Sequence, residues 1–441
     1  MTTESGPTAA NLAAPETSIA GRLRQNEFVR NGALVFGAQM AVNVCNFAFH
    51  ALVSRRIGVV AYGSLTALVS GFQVLQVPGL ILTTVLVKYA ASFRARSQIS
   101  RLPPLLSHSM AVLGGGAAAV FLLGVALSGS IGAYLHGIGR LPVILMWGIL
   151  CINLVLPIRG ILQGLERFKP FSLSLSMEAL VKVVFALVFT GIGWGLVGAL
   201  GGWLLGSALA LAYTWLVQWI PYRKLERVRL NLNLGRLLST TGGVALATLF
   251  VTSLGFSDVV LVKHYFNPAA AGLYGAAALC GKMLYFLVYF VPAVALPRVA
   301  TNVAEGKPTR PILIAALSIV LLFGATGTAF YGFFGGFVVQ TLAGHAFAAA
   351  APLVFPYGIA STLLATLNLA VIYKIGLGHF KFVVPLGVVA VLQIAGISFS
   401  HSSPGQVIDI LIGCNIAGLL VTLTRSGRSS LNPAERQWQE A

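Results

Sequence analysis

Residues 157–169 read Pro157-Ile-Arg-Gly-Ile-Leu-Gln-Gly-Leu-Glu-Arg-Phe-Lys169, and an apolar run carrying Glu178 and Lys182 follows as far as Thr190. The stretch is a short basic turn between two hydrophobic runs. Its core, Gly164-Leu-Glu-Arg-Phe-Lys169, returns in the second half of the chain as Gly376-Leu-Gly-His-Phe-Lys381. Tyr62-Gly63 and Tyr274-Gly275 are separated by the same interval as Gly164 and Gly376. Each match is short. Their common register in a chain of 441 residues indicates a duplicated unit of about half the protein.

Only 9% of the residues are charged, 57% are hydrophobic and the mean hydropathy is +0.87. A soluble domain is about one-quarter charged, so the chain reads as an integral membrane protein. The runs 183–222 and 311–373 contain no Asp, Glu, Lys or Arg. Each is long enough for two helices across a hydrocarbon core about 30 Å thick, at about 20 residues per crossing. A β-barrel would show strands of alternating polarity instead. The net charge of +18 does not point to nucleic acid, because Lys and Arg fall in short clusters between the apolar runs. Cys45, Cys151, Cys280 and Cys414 lie in four different runs without metal-like or disulfide-like spacing, as small apolar fillers do.

The runs and their breakers predict an all-α membrane protein of twelve helices, at about 31–53, 64–87, 104–128, 142–163, 171–192, 196–219, 238–262, 271–295, 311–334, 350–373, 382–399 and 406–424. Of the 29 Lys and Arg, 23 fall on one alternating set of connections, which includes both termini. The positive-inside rule places that set, and both termini, in the cytoplasm. Six helices per repeat make the halves parallel, related by a pseudo-two-fold along the membrane normal. The expected organisation is a disordered tail over 1–27, a first lobe over 28–220, a linker over 221–236, a second lobe over 237–424 and a tail over 425–441. The linker and both tails are expected to be cytoplasmic. Pro78, Pro157, Pro292 and Pro356 are expected to bend their helices, and Trp194, Trp203, Trp215 and Trp219 to sit mostly at the interfaces.

Several short segments resemble the polysaccharide and O-antigen flippases of the multidrug/oligosaccharidyl-lipid/polysaccharide exporter superfamily. They are Arg55-Arg-Ile-Gly58 with Tyr62-Gly63, Lys88-Tyr-Ala-Ala91, Gly160–Lys169, and Asp258 ahead of Asn267-Pro268 and Gly272-Leu-Tyr274. Val59-Val60-Ala61 stands where that family has Pro-Glu-Glu. The resemblance covers most of residues 28–424 and implies a fold like that of the multidrug (MATE) exporters. It also implies a multi-pass protein of the cytoplasmic (inner) membrane that moves a lipid-linked oligosaccharide.

Charge within a bilayer is expensive and marks function. Glu178 and Lys182 stand four apart in the favoured helical order. They either neutralise each other in a helix seam, or Lys182 faces a central cavity with Glu178 poising it. Lys282 has no acidic neighbour at helical spacing and is expected to line that cavity from the other lobe. Arg159 either snorkels to the interface or lines the cavity. Arg55 and Arg56 lie at the outer end of helix one, against the charge rule, where planar guanidinium groups suit phosphate. The predicted substrate-binding set is therefore Lys182, Lys282, Arg159, Arg55 and Arg56, with Glu178 and Asp258 as candidates for coupling to protons or sodium. No cofactor or metal is expected, and the seven histidines read as interfacial hydrogen-bonding groups. The expected partners are a lipid-linked (polyprenyl pyrophosphate) oligosaccharide, anionic membrane lipids, and a polysaccharide polymerase with other pathway membrane proteins. Nucleic acid is not expected, and the chain is expected to act as a monomer. A cation-coupled multidrug antiporter is the alternative, but it would gather carboxylates in its cavity. A membrane enzyme would need a large external loop with paired carboxylates, which is absent, so the chain is not expected to be an enzyme.

Overall fold

The computed structural model describes residues 19–222 and 234–424, so most of the expected linker and all of the tail over 425–441 lie outside the described residues. Among the described residues every regular element is helical. The helices are α1 (Ile19–Leu75), α2 (Val77–Ala95), α3 (Leu102–Tyr134), α4 (Arg140–Val155), α5 (Arg159–Gly164), α6 (Phe168–Gly191) and α7 (Gly195–Tyr222). There follow α8 (Leu234–Tyr265), α9 (Pro268–Leu287), α10 (Phe290–Ala304), α11 (Arg310–Ala343), α12 (Ala351–Gly376), α13 (Val383–Phe399) and α14 (Pro404–Thr424). α1 begins at Ile19, inside the stretch expected as a tail.

Among the described residues ten helical stretches are long and apolar enough to cross a membrane; the one over 34–75 reverses at Gly58 and so counts twice, and the shorter apolar α13 completes the twelve helices expected. α1 supplies one crossing and most of the next, because its backbone leaves helical geometry at Gly58 (φ 77°, ψ 175°). A straight helix would set His50 and Tyr62 about 18 Å apart along its axis. The Tyr62 hydroxyl instead lies 3.2 Å from His50 Nδ1, so the chain reverses there. A single glycine in the left-handed region makes the reversal, in place of the longer connection expected between the helices over 31–53 and 64–87. Arg55 and Arg56 therefore occupy the last turn of the first crossing. α4 and α5 form one crossing interrupted by a 3-10 turn over Leu156–Ile158 that contains Pro157. Pro78 and Pro292 stand just past the breaks that precede α2 and α10. Pro356 is absorbed within α12.

The duplication is present in the backbone. In the first turn Leu165, Glu166 and Arg167 donate to the carbonyls of Ile161, Gln163 and Leu162. In the second, Leu377, Gly378 and His379 donate to those of Tyr373, Ile375 and Lys374. Both are helix-ending turns of the Schellman type, with left-handed residues at Glu166 (φ 56°) and Gly378 (φ 71°). In the second turn, burial and then the charges of Lys374 and Lys381 hold the His379 imidazole below its ordinary range. The segments that carry the other matched pair pack against each other across the lobe seam. A Cβ on Gly63 would come within 2.7 Å of the Gly272 nitrogen, and one on Gly272 within 2.1 Å of the Val59 carbonyl oxygen. Only glycine permits this approach of α1 and α9.

The core is divided unevenly. At the end carrying Arg55, one apolar cluster joins both lobes through Phe49, Tyr62 and Leu65 on α1, Ala277 and Cys280 on α9, and Val339 on α11. At the opposite, basic end the clusters stay within single lobes. One holds Leu86, Leu105 and Ile161 of the first lobe. The other holds Tyr285, Val320 and Leu386 of the second. The lobes are thus packed together by a common core near Arg55, and each has its own core at the basic end.

Candidate functional site

In the first lobe, α6 carries Lys182 inward to 8% exposure. Its ammonium donates to Asn46 Oδ1 on α1. It also lies 5.1 Å from the Phe49 ring and 5.0 Å from the Trp203 ring, on α1 and α7. Aromatic faces attract a cation through their quadrupole, so this charge is held by one amide and two rings. Trp203 is buried beneath the lysine rather than placed in an interfacial belt. Asn46 itself is exposed, so the ammonium lies just under the protein surface.

Glu178 takes a different partner from the one its spacing suggested. Its Oε2 accepts from Arg159 Nη2 at 2.7 Å, and its Oε1 accepts from Ser207 at 3.0 Å. Ser207 in turn accepts from Asn153 Nδ2 at 3.3 Å. Arg159 is 9% exposed at the start of α5, next to the 3-10 interruption. It neither snorkels to an interface nor stands free, and one buried nitrogen, Nε, has no hydrogen-bond partner. The guanidinium competes for the carboxylate with charge-assisted geometry that an ammonium on the same helix does not match. The interior of the first lobe therefore holds one closed ion pair and one further cation.

The second lobe is arranged differently. Asp258 on α8 is 0% exposed. Its Oδ2 accepts from the Tyr274 hydroxyl at 2.9 Å and from the Tyr357 hydroxyl at 2.5 Å. Its Oδ1 accepts no hydrogen bond, and Lys282 Nζ stands 3.9 Å from it. Lys282 is not the unpaired ammonium expected: α8 brings it a carboxylate from outside its own helix. It also lies 4.4 Å from the Phe256 ring and lines a small cleft with Tyr357, Ser361 and Asn415. Every residue lining that cleft belongs to the second lobe, and Lys182 is not among them.

Arg55 and Arg56 are used as helix ends. Arg55 reaches across the seam and donates to the Thr341 carbonyl at 2.6 Å, beside Ser54, which donates to the Ala343 carbonyl at 3.1 Å. Arg56 stays in its own lobe and donates to the Leu187 carbonyl near the end of α6. Cations at carbonyl-rich helix C-termini are favoured by the dipole. Two histidines join the lobes at the same end. His136 Nδ1 donates to the Lys263 carbonyl at 3.0 Å, and His264 Nδ1 donates to that of Tyr134 at 2.6 Å.

The sequence reading missed Asn46, Trp203, Ser207, Tyr274 and Tyr357 as members of these sites. One signal could have found Asn46, because it precedes Asp258 by the same interval that separates Tyr62 from Tyr274. Among the described residues no group of three His, Cys, Asp or Glu is placed to hold a metal ion.

Residues 28–303 match the family model of polysaccharide biosynthesis proteins. No curated protein sequence matches the chain. Among solved structures, an inward-facing multidrug resistance MATE family transporter of the MOP superfamily superposes with a TM-score of 0.72 at 13% identity, over 87% of this chain and 94% of that one. The lipid II flippase MurJ, in an inward closed conformation, gives 0.61 at 13% identity over 87% of each chain. A MOP superfamily transporter from Pyrococcus furiosus, described as having a binding pocket of reversed polarity, gives 0.59 at 13% identity, over 88% of this chain and 91% of that one.

Proposed function

The chain belongs to the polysaccharide biosynthesis protein family of the MOP superfamily, and from that premise we propose that it is a flippase for a lipid-linked oligosaccharide. It would carry a polyprenyl pyrophosphate-linked sugar chain across the cytoplasmic membrane for cell-surface polysaccharide synthesis. The observation that carries this reading is Lys182, a buried ammonium whose described partners are an amide and two aromatic rings. A cation taken out of water without a carboxylate favours an anion as its missing partner. A pyrophosphate head group supplies that anion, and its tail stays in lipid. The basic end faces the cytoplasm in this reading, by the positive-inside rule. The uneven core then supports a resting form closed at the outer end, from which the lobes rock by alternating access. No catalytic step is assigned to the chain.

A cation-coupled drug antiporter is the weaker reading. Its cargo would need an available carboxylate, yet Glu178 is held by Arg159 and Asp258 faces Lys282. The test is Lys182→Gln in cells that depend on this chain for surface polysaccharide. Loss of one charge-assisted contact to the head group lowers export about tenfold or more, with protein abundance in the membrane unchanged. Wild-type export from that variant would remove Lys182, and with it the proposal.

A further inference from the structure

One face of α1 carries a row of amides, and we propose that it is a sugar subsite: Gln39, Asn43 and Asn46 hold hydroxyls of the cargo's sugar chain while Lys182 holds its head group. The inference rests on the flippase reading above and adds where the oligosaccharide lies.

Three observations carry it. The amides stand at intervals of four and three, so they share one face of α1, and Gln39 Nε2 donates to Asn43 Oδ1 at 3.3 Å. All three residues are exposed, in a stretch long and apolar enough to cross a membrane. A second exposed row, Phe36, Met40 and Val44, lies about a quarter-turn round the helix. That row suits hydrocarbon. The amide row does not, because lipid offers its donors and acceptors no partner. α1 thus stands at an edge, with lipid against one row and a polar path along the other. The path ends at the ammonium, since Asn46 Oδ1 accepts from Lys182, and Gln39 lies about two turns nearer the basic end. Nor does the duplication account for the row. Val251 and Gly255 match Gln39 and Asn43 at the interval that separates Tyr62 from Tyr274, and both are buried. A Cβ on Gly255 would come within 2.9 Å of the Leu364 side chain. The same face is packed with apolar groups in one lobe and left open with amides in the other.

A side-chain amide presents two donors and an acceptor oxygen in one plane. Neighbouring sugar hydroxyls, each of which donates and accepts, are its complement. The row is uncharged, so it does not compete with Lys182 for the anion. Asn46 belongs to both parts of the site: Lys182 uses its Oδ1, which leaves the Nδ2 donors for the sugar nearest the head group. From there the sugar chain extends along Asn43 and Gln39 toward the basic end, while the lipid tail has the apolar side of the same helix.

The experiment separates sugar from head group. Gln39→Leu combined with Asn43→Leu removes two amides and leaves Asn46 and Lys182 in place. In cells that depend on this chain for surface polysaccharide, the double variant lowers export about tenfold or more, as for two lost neutral hydrogen bonds, at unchanged abundance in the membrane. The same variant, purified as the full chain in lipid nanodiscs, binds inorganic pyrophosphate as the wild type does, measured by titration calorimetry. Gln39→Asn with Asn43→Gln keeps the amides and keeps most of the export. Should the double Leu variant fail to accumulate, Asn43→Ala removes one amide without adding bulk and lowers export about threefold or more. Wild-type export from whichever of these two accumulates overturns the inference and leaves standing the flippase reading, which Lys182→Gln tests on its own. Pyrophosphate affinity that falls together with export also overturns it, because the row would then serve the head group. No pyrophosphate binding to the wild type removes the inference together with the anionic site on which it rests.

Discussion

Asn46 and Asp258 hold the same place in the two repeats, and each meets a buried lysine. In the first lobe the lysine comes from α6 and its partner is a neutral amide. In the second it comes from α9 and its partner is a carboxylate. Each lobe also contains one buried carboxylate facing a cation, Glu178 with Arg159 and Asp258 with Lys282. At these matched positions, therefore, Lys182 meets an amide where Lys282 meets a carboxylate. Duplication has kept the scaffold while the charge was reassigned.

The largest effect that would break this comparison is on stability. Glu178→Gln strands Arg159, buried and without its counter-charge, and lowers stability by about 3–5 kcal/mol, read as a fall in the melting temperature of the purified protein. A melt like the wild type's would mean that Arg159 finds water or lipid phosphate, and the closed pair would lose its structural role.

Next is a swap that makes the lobes alike. Asn46→Asp places a carboxylate beside Lys182 and cancels the extra charge of the first lobe. Export falls about tenfold, as for loss of a charge-assisted contact, while the melting temperature holds or rises. Undiminished export from that variant would show that the net charge near Lys182 is irrelevant to cargo.

The smallest concerns the matched turns. Glu166 occupies the left-handed position that glycine holds at Gly378. Glu166→Gly relieves that strain and stabilises the protein by about 1 kcal/mol, even though it removes an exposed ion pair with Arg94. Destabilisation instead would give the Arg94 contact a weight that such surface pairs do not ordinarily have.

Much of the fold was legible because it depends on local properties. Apolar length sets the crossings, and the sides on which Lys and Arg cluster set their alternation. The repeat was visible in Gly164–Lys169 and Gly376–Lys381 because a helix-ending turn needs particular residues at particular offsets. The reversal at Gly58 was read as a longer loop, since one glycine in a helical pattern does not reveal its φ. At the site, the charged positions were legible by their cost in a bilayer, whereas their partners were not. Spacing of four correctly put Glu178 and Lys182 on one helix face, but α5 delivered Arg159 to the carboxylate and α1 delivered Asn46 to the lysine.

By itself, then, the order of residues determined a twelve-pass helical membrane protein built twice over, with a few costly charges inside it. Hydrophobic burial and backbone satisfaction act along each segment, so those features follow from composition and period. Only the tertiary structure decided which cation faces which carboxylate, and that Lys182 was left without one. Such pairings depend on distances between helices far apart in sequence, and a difference of a few ångströms in that packing determines which charge is compensated.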